Sequence, residues 1–352
     1  MLVVECKGTP YEIGYQHGSA AKSQVAGSIA FYTGLFLKNC AQTWPQVLSH
    51  ASAFSAHAEK EWPAYHEEMR GIADGSGQDL LSIVALNVRT EINFGLFSDG
   101  CTSLAWNTGA NAWLGQNWDW MTAQKPNLII TQITQEGKPR IQMITEAGII
   151  GKIGFNEYGV GTLLNAIKVK GVDAGRMPVH FGLRMALEST SAIEAVQKLE
   201  EYGMASSAHI LIADATTAVG LEFSSKTFAR CLPDELGRVA HSNHLLMEHP
   251  GVVDTVWLKD SLFRVKNMLE ISGKVGGEGK NPSWEEVSAL FEDEQNYPAA
   301  ICREQTEVTG SATLFNILMD LKTRTATIRM GRPTKPDETI QLSFVDTDAK
   351  TP

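Results

Sequence analysis

Apolar residues in the first hundred positions recur at the 3.6-residue spacing of a helix face. Met1–Gly8 reads as a short opening strand. Thr9-Pro10 then begins a helical pattern in which Ile13, Tyr15, His17, Ala20, Ala21 and Val25 continue toward Leu37. A second stretch from Trp44 to Ala73 carries Val47, Leu48, Ala51, Phe54, Ala58, Trp62, Tyr65, Met69 and Ile72. Asp79 stands where a cap would open a third helix, Leu80 to Val88. This region is mostly helical and ends at the turn-forming cluster Ser98-Asp99-Gly100.

From Cys101 the pattern changes to short β segments separated by Gly and Asn turns. Cys101–Trp106, Ala112–Trp118, Leu128–Thr134, Ile141–Glu146, Ile149–Phe155 and Val160–Asn165 read as strands. Two helices follow, Val179–Glu188 and Ser191–Tyr202, the second opening on a capping-box pattern, Ser191 with Glu194. Strands return at His209–Ala213, Ala218–Phe223 and Arg238–His241. Helices are expected at Thr255–Ile271 and Ser283–Phe291, and Ser283 with Glu286 repeats the capping box. Thr313–Met319, Thr325–Met330 and Thr339–Phe344 close the chain as strands. Strands, then helices, then strands predict an α+β fold of antiparallel sheets with helices outside.

Composition narrows the function. The 352 residues are 43% apolar and 20% charged, enough for one large domain or two modest ones. A net charge of −10 and the absence of a basic run argue against nucleic acid as a partner. The longest apolar runs, such as Leu128-Ile129-Ile130, fall far short of the ~18 residues of a membrane span. Five scattered cysteines do not form a disulfide framework, so reduced thiols and a cytoplasmic location are expected. The ending Asp348-Ala349-Lys350-Thr351-Pro352 matches neither a peroxisomal address nor a prenylation box. Gly273–Gly279 reads as a surface loop, lacking the strand and the Lys-Ser/Thr ending of a phosphate loop.

The segment richest in chemistry is Asp99-Gly100-Cys101-Thr102-Ser103, at the boundary between the two textures. Glycine lets the backbone bring its carbonyl to the following thiol. That thiol can attack the preceding peptide bond, form a thioester and release residues 1–100 on hydrolysis. Cys101 would then carry a nucleophile and, in its new α-amine, a base of pKa ~7.7–8.0. The residues alone also allow a turn leading to a buried strand cysteine. His241, His244 and His249 lack a regular element or acidic partner that would mark a metal site, so no metal and no cofactor is expected.

Motifs in shared order across residues 1–345 add a resemblance. They are Lys7–Gly18, Asp99–Ser103, Gly115–Trp120, Ile144–Lys152, Gly220–Ser224, His241–His244 and Ala312–Asn316. Together they resemble the isopenicillin-N acyltransferase family of N-terminal-nucleophile (Ntn) enzymes. The resemblance implies a four-layer αββα sandwich and self-cleavage between Gly100 and Cys101. The resulting segments, 1–100 and 101–352, would stay associated. It implies Cys101 as nucleophile, Asp119 as the residue positioning the new amine, and Asn243 as an oxyanion donor worth about 3–4 kcal/mol. Asn165 matches a further polar site residue; Ser103 and Ser224 match hydroxyls associated with processing.

The expected activity is transfer of an acyl group from Cys101 to an amine or to water. Small-molecule acyl donors and amine or N-acyl substrates are the expected partners, with acyl-CoA a candidate co-substrate. A silent binding protein of the same fold, or a Cys–His hydrolase pairing Cys101 with His241 or His244, are the alternatives. One departure bears on substrate. The resemblance implies that penicillin-forming members carry a Ser-Arg pair before Gly-Ala-Thr-Leu-Phe-Asn, the Arg meeting a substrate carboxylate. Here Val308-Thr309-Gly310-Ser311-Ala312-Thr313 has no Arg, leaving Arg303 as a substitute. A carboxylate-bearing acceptor such as 6-aminopenicillanic acid is therefore expected to be poor.

Overall fold

The computed structural model describes residues 1–93, 100–275 and 281–344. Strand β1 (Leu2–Lys7) leads into α1 (Pro10–Ala20) through a complete capping box. Thr9 Oγ1 accepts from Glu12 N at 3.3 Å, and the Glu12 carboxylate accepts from Thr9 N at 2.8 Å. The periodic stretch expected to run on toward Leu37 divides at Ala21, and α2 (Lys22–Cys40) continues it. The second stretch also divides, into α3 (Trp44–Glu61) and α4 (Pro63–Ser76). Pro63 excludes helical backbone at the residue before it, and Trp62 takes φ −132°. Next come α5 (Leu80–Asn87) and the single turn α6 (Arg89–Ile92). The expected turn residues Ser98 and Asp99 lie outside the described residues.

Helices α1 and α4 touch backbone to backbone. A Cβ on Gly14 would lie 1.9 Å from the Glu68 carbonyl oxygen, and one on Gly71 would lie 2.1 Å from that of Tyr11. Gly18 and Gly75, one turn further on, repeat the arrangement. The glycine spacing in the opening motif is therefore a helix-packing device.

Strands β2 (Gly100–Asn107), β3 (Ala112–Trp120), β4 (Leu128–Thr134), β5 (Ile141–Glu146), β6 (Ile153–Asn156) and β7 (Gly161–Ala166) follow. Then come α7 (Val179–Leu187), α8 (Ala192–Tyr202), β8 (Ala208–Ala213), β9 (Ala218–Phe223), β10 (Phe228–Cys231) and β11 (Arg238–His241). The chain closes with α9 (Asp260–Val275), α10 (Trp284–Leu290), β12 (Ala312–Asp320), β13 (Thr325–Met330) and β14 (Glu338–Ser343). The strand expected from Ile149 begins only at Ile153, because Ile149 N closes a turn on Glu146 O. Short β10 has no counterpart in the sequence reading. Helix α9 starts at Asp260, since Val256 adopts φ +43°, and it runs through the first residues of the expected Gly-rich loop. Residues 276–279 of that loop lie outside the described part. Ser191 caps α8, but the Glu194 carboxylate turns to Thr190 instead of closing the box.

Among the described residues the strands form two sheets, ordered β1-β4-β5-β6-β7-β8-β9-β10 and β11-β2-β3-β12-β13-β14. The fold is the expected α+β Ntn sandwich, with one difference in pairing. β1 lies parallel to β4, whereas the other strand pairs are antiparallel. A parallel neighbour needs a long crossover, and the helical hundred residues supply it. The sheets face each other through β2, β3, β7, β8 and β9. Helices α7 and α8 cover the outer face of the eight-stranded sheet, and α9 and α10 pack outside the other.

Gly14→Ala is expected to lower unfolding stability by about 1–3 kcal/mol, the range for overpacking a close contact. Denaturant unfolding reads this directly. An unchanged midpoint would mean the helices can separate without loss.

Candidate active site

Strands β2 and β3 pair so that Gly100 lies opposite Asp119 and Cys101 opposite Trp118. Side chains alternate along β2, which splits the site between two faces. Cys101 and Ser103 share the inter-sheet face, where Ser103 Oγ donates to Asn165 Oδ1 on β7 at 2.7 Å. Thr102 faces α9, where Arg264 Nη1 donates to its Oγ1 at 2.9 Å. Cys101, Asp119 and Asn165 have no solvent exposure, and Asn243 has 1%.

The backbone of Cys101 is held at both ends. Its N–H donates to Asn243 Oδ1 at 3.0 Å. Its carbonyl accepts from Ser242 Oγ at 2.9 Å and from Arg264 Nη1. Arg264 Nη2 also donates to Asn243 Oδ1, at 2.8 Å, which orients that amide. Asn243 Nδ2 donates to Ala166 O at 3.0 Å. The site thus brings together Cys101, Asn243 and a guanidinium that sequence reasoning missed.

Asp119 lies directly beneath Gly100, where a Cβ on the glycine would sit 3.2 Å from its Oδ2. Thr313 Oγ1 donates to Asp119 Oδ1 at 2.7 Å. Oδ2 is buried without a hydrogen-bond partner among the described residues, 3.6 Å from Arg303 Nε. Burial raises the Asp119 pKa to about 6, against the pull of Arg303, Arg264 and the Thr313 hydroxyl. Asp260 bridges the two arginines, receiving Arg264 Nε at 2.7 Å and a nitrogen of Arg303. Asp260 and Arg264 stand four apart on α9, a spacing that in sequence reads as a surface helix pair.

The other expected residues fall in different places. Asn165 Oδ1 accepts from Ser103 and lies 2.9 Å from His209 Nδ1, while its Nδ2 has no hydrogen-bond partner among the described residues. Ser224 stands in the turn after β9, where Lys226 N and Thr227 N donate to its Oγ. Gly310 takes φ +68° in an exposed turn, a backbone that an arginine would adopt only with strain. Arg303 is committed to Asp260 and the edge of Asp119, away from solvent.

His241 Nδ1 meets Ser242 O at 2.9 Å and its Nε2 meets Glu222 at 2.7 Å. His244 Nδ1 bonds Ser261 Oγ at 2.6 Å. Both rings therefore serve other partners, and the geometry does not favour a Cys–His pair. His209, Cys231 and His241 bring potential ligand atoms within 4.8 Å of one another. The two imidazoles, however, stack at 3.6 Å and 13°, so their in-plane lone pairs run side by side without converging.

This constellation sits in a chain with clear relatives. The family described as acyl-coenzyme A:6-aminopenicillanic acid acyl-transferase matches residues 106–335. The 40 kDa form of acyl-coenzyme A:6-aminopenicillanic-acid-acyltransferase from Emericella nidulans is 44% identical over 99% of this chain and 98% of its own. The chain belongs to this acyltransferase family. A variant of conjugated bile acid hydrolase from Clostridium perfringens shares the fold, with a TM-score of 0.52 at 12% identity over 69% of this chain and 92% of that one. Penicillin V acylase from Agrobacterium tumefaciens aligns with a TM-score of 0.45 at 10% identity, over 70% of this chain and 86% of that one. The protein is an enzyme of the acyltransferase/amidohydrolase type.

The Asp119 shift has a testable sign. Its carboxyl binds a proton more readily folded than unfolded, so its contribution to stability is full below pH 4 and disappears as pH rises through about 6. The expected loss is on the order of 3 kcal/mol. Unfolding titrations of wild type and Asp119→Asn should diverge across this window; parallel curves would reject the shift.

Proposed function

We propose that this protein activates itself by cleaving Gly100–Cys101 and then carries acyl groups as a thioester on Cys101. The observation that carries this reading is the Cys101 peptide, held through N and O, while the buried Asp119 carboxylate lies opposite Gly100 with an oxygen that meets Arg303 but accepts no hydrogen bond among the described residues. In processing, the Cys101 thiol adds to the Gly100 carbonyl carbon. The C–N bond breaks, and the nitrogen leaves as the Cys101 α-amine after taking the thiol proton. Water then hydrolyses the thioester, leaving a Gly100 carboxylate and the free thiol.

In turnover the α-amine takes the thiol proton, and the thiolate attacks the carbonyl of the acyl donor. The donor's leaving group departs with a proton, and an incoming amine or water takes the acyl group. Asp119 Oδ2 anchors the protonated amine. Asn243 holds the Cys101 nitrogen through Oδ1 and supplies Nδ2 to the developing oxyanion. Ser103 and Asn165 hold the strand carrying the nucleophile, and Ser224 closes the turn after β9. Identity to the Emericella nidulans enzyme supports acyl-CoA as donor.

The two fragments stay together, because β1 is a strand of the main sheet and Arg89 reaches across the cut. Arg89 bonds Glu146 at 2.8 Å, and Glu146 also receives Lys152 and the Tyr32 hydroxyl, all away from solvent. Burial alone would raise the Glu146 pKa; Arg89 and Lys152 hold it well below the usual carboxylate range.

Intact mass spectrometry under denaturing conditions should find two chains, the second starting at Cys101, that co-elute under native conditions. Cys101→Ala should remain one chain and be inactive. A fully active, uncut wild type would refute the proposal.

Specificity follows from the cations. With Gly310 in a solvent-facing turn and Arg303 bound to Asp260, a substrate carboxylate would lose its hydration without a paired charge. An amine acceptor should therefore be used at least several-fold better, by kcat/KM, as its methyl ester than as the free acid. A tenfold preference for the acid would reverse this reading.

A further inference from the structure

The segment that bears Asn243 is attached to the opposite sheet through one carboxylate. Glu222 projects from β9 of the eight-stranded sheet, while Asn243 follows β11 of the six-stranded sheet. Glu222 Oε1 receives His241 Nε2 at 2.7 Å and Leu246 N at 2.6 Å. Its Oε2 receives Met247 N at 3.0 Å and His249 Nε2 at 3.1 Å. Two residues before Asn243 and three to six after it, the chain is thus tied to the same two oxygens.

The tie continues to the nucleophile. His241 Nδ1 meets Ser242 O and its Nε2 meets Glu222, so both ring nitrogens face oxygens and the ring is held from two sides. It stacks on His209, which burial and the charge of His241 keep well below the usual histidine pKa. Ser242 Oγ then bonds Cys101 O, and Asn243 Oδ1 accepts from Cys101 N. Burial would raise the Glu222 pKa, but the donors from His241, Leu246 and Met247 hold it below the ordinary value. The carboxylate is therefore available as a fourfold acceptor.

We infer that Glu222 is a positioning residue, which sets Ser242 and Asn243 against Cys101 by gripping the 241–249 segment from the facing sheet. The inference rests on the thioester reading above. A glutamine at 222 keeps the size of the side chain but offers one accepting oxygen where four donors compete. The segment would then shift by a fraction of an ångström, enough to misplace an oxyanion donor without unfolding the protein.

The test is a double-mutant cycle on full-length, processed protein, with active sites counted by thiol titration. Glu222→Gln should lower kcat at least tenfold with KM changed less than threefold. Asn243→Ala should lower kcat by ~10²–10³. Added to Asn243→Ala, the glutamine should cost less than a further threefold, since the group it positions is already gone. A role confined to stability would reduce the yield of folded enzyme and leave kcat per active site unchanged. If Glu222→Gln fails to fold, His249→Phe removes one of the four donors to Glu222 and should lower kcat three- to tenfold with the same lack of additivity. Losses that multiply across the cycle, or a kcat within twofold of wild type in either 222 or 249 variant, overturn the inference. A wild-type kcat in Asn243→Ala instead overturns the oxyanion assignment itself.

Discussion

Arg264 has no exposed surface, so the protein must satisfy its whole guanidinium. A buried cation left unpaired costs several kcal/mol. The groups that meet the need are Asp260, the Cys101 carbonyl, the Thr102 hydroxyl and Asn243 Oδ1. Asp260 in turn neutralises Arg303, whose far edge lies beside Asp119. Two arginines and two carboxylates thereby alternate from beneath Gly100 to the Cys101 carbonyl. Burial of charge and placement of Cys101 have a common solution here.

Strand alternation divides the labour around that solution. Asp119 and Thr102 turn toward α9 and its charges, while Cys101 and Ser103 turn toward the facing sheet. A register slip of one residue would exchange the two sets and bury the thiol among arginines. Long pairing with β3, continued from β3 to β12, makes such a slip costly. Rigid strands carry Cys101 and Asp119. Asn243 lies just past a strand end, and its segment is held by side chains from elsewhere.

The two textures, the αββα class and the family are legible in the residue order, because periodicity and ordered motifs are local properties. It also pointed to Cys101, Asp119 and Asn243, which the fold gathers around one peptide bond. Local chemistry explains its misses as well. The period ran unbroken through Trp62-Pro63 because apolar spacing persists where proline forbids helix, and β10, an edge strand with only Cys231 buried, shows no core-facing alternation.

The electrostatics follow from packing. Asp260 and Arg264 look like any exposed helix pair until α9 packs on β2 and removes their water. Glu222 belonged to a recognised motif, yet its four donors come from residues 19 to 27 positions away. Arg303, a free cation on paper, is bound between two aspartates. Burial and pairing depend on which distant segments meet. A local pattern shows which residues can carry charge, and the fold determines which of those charges find partners.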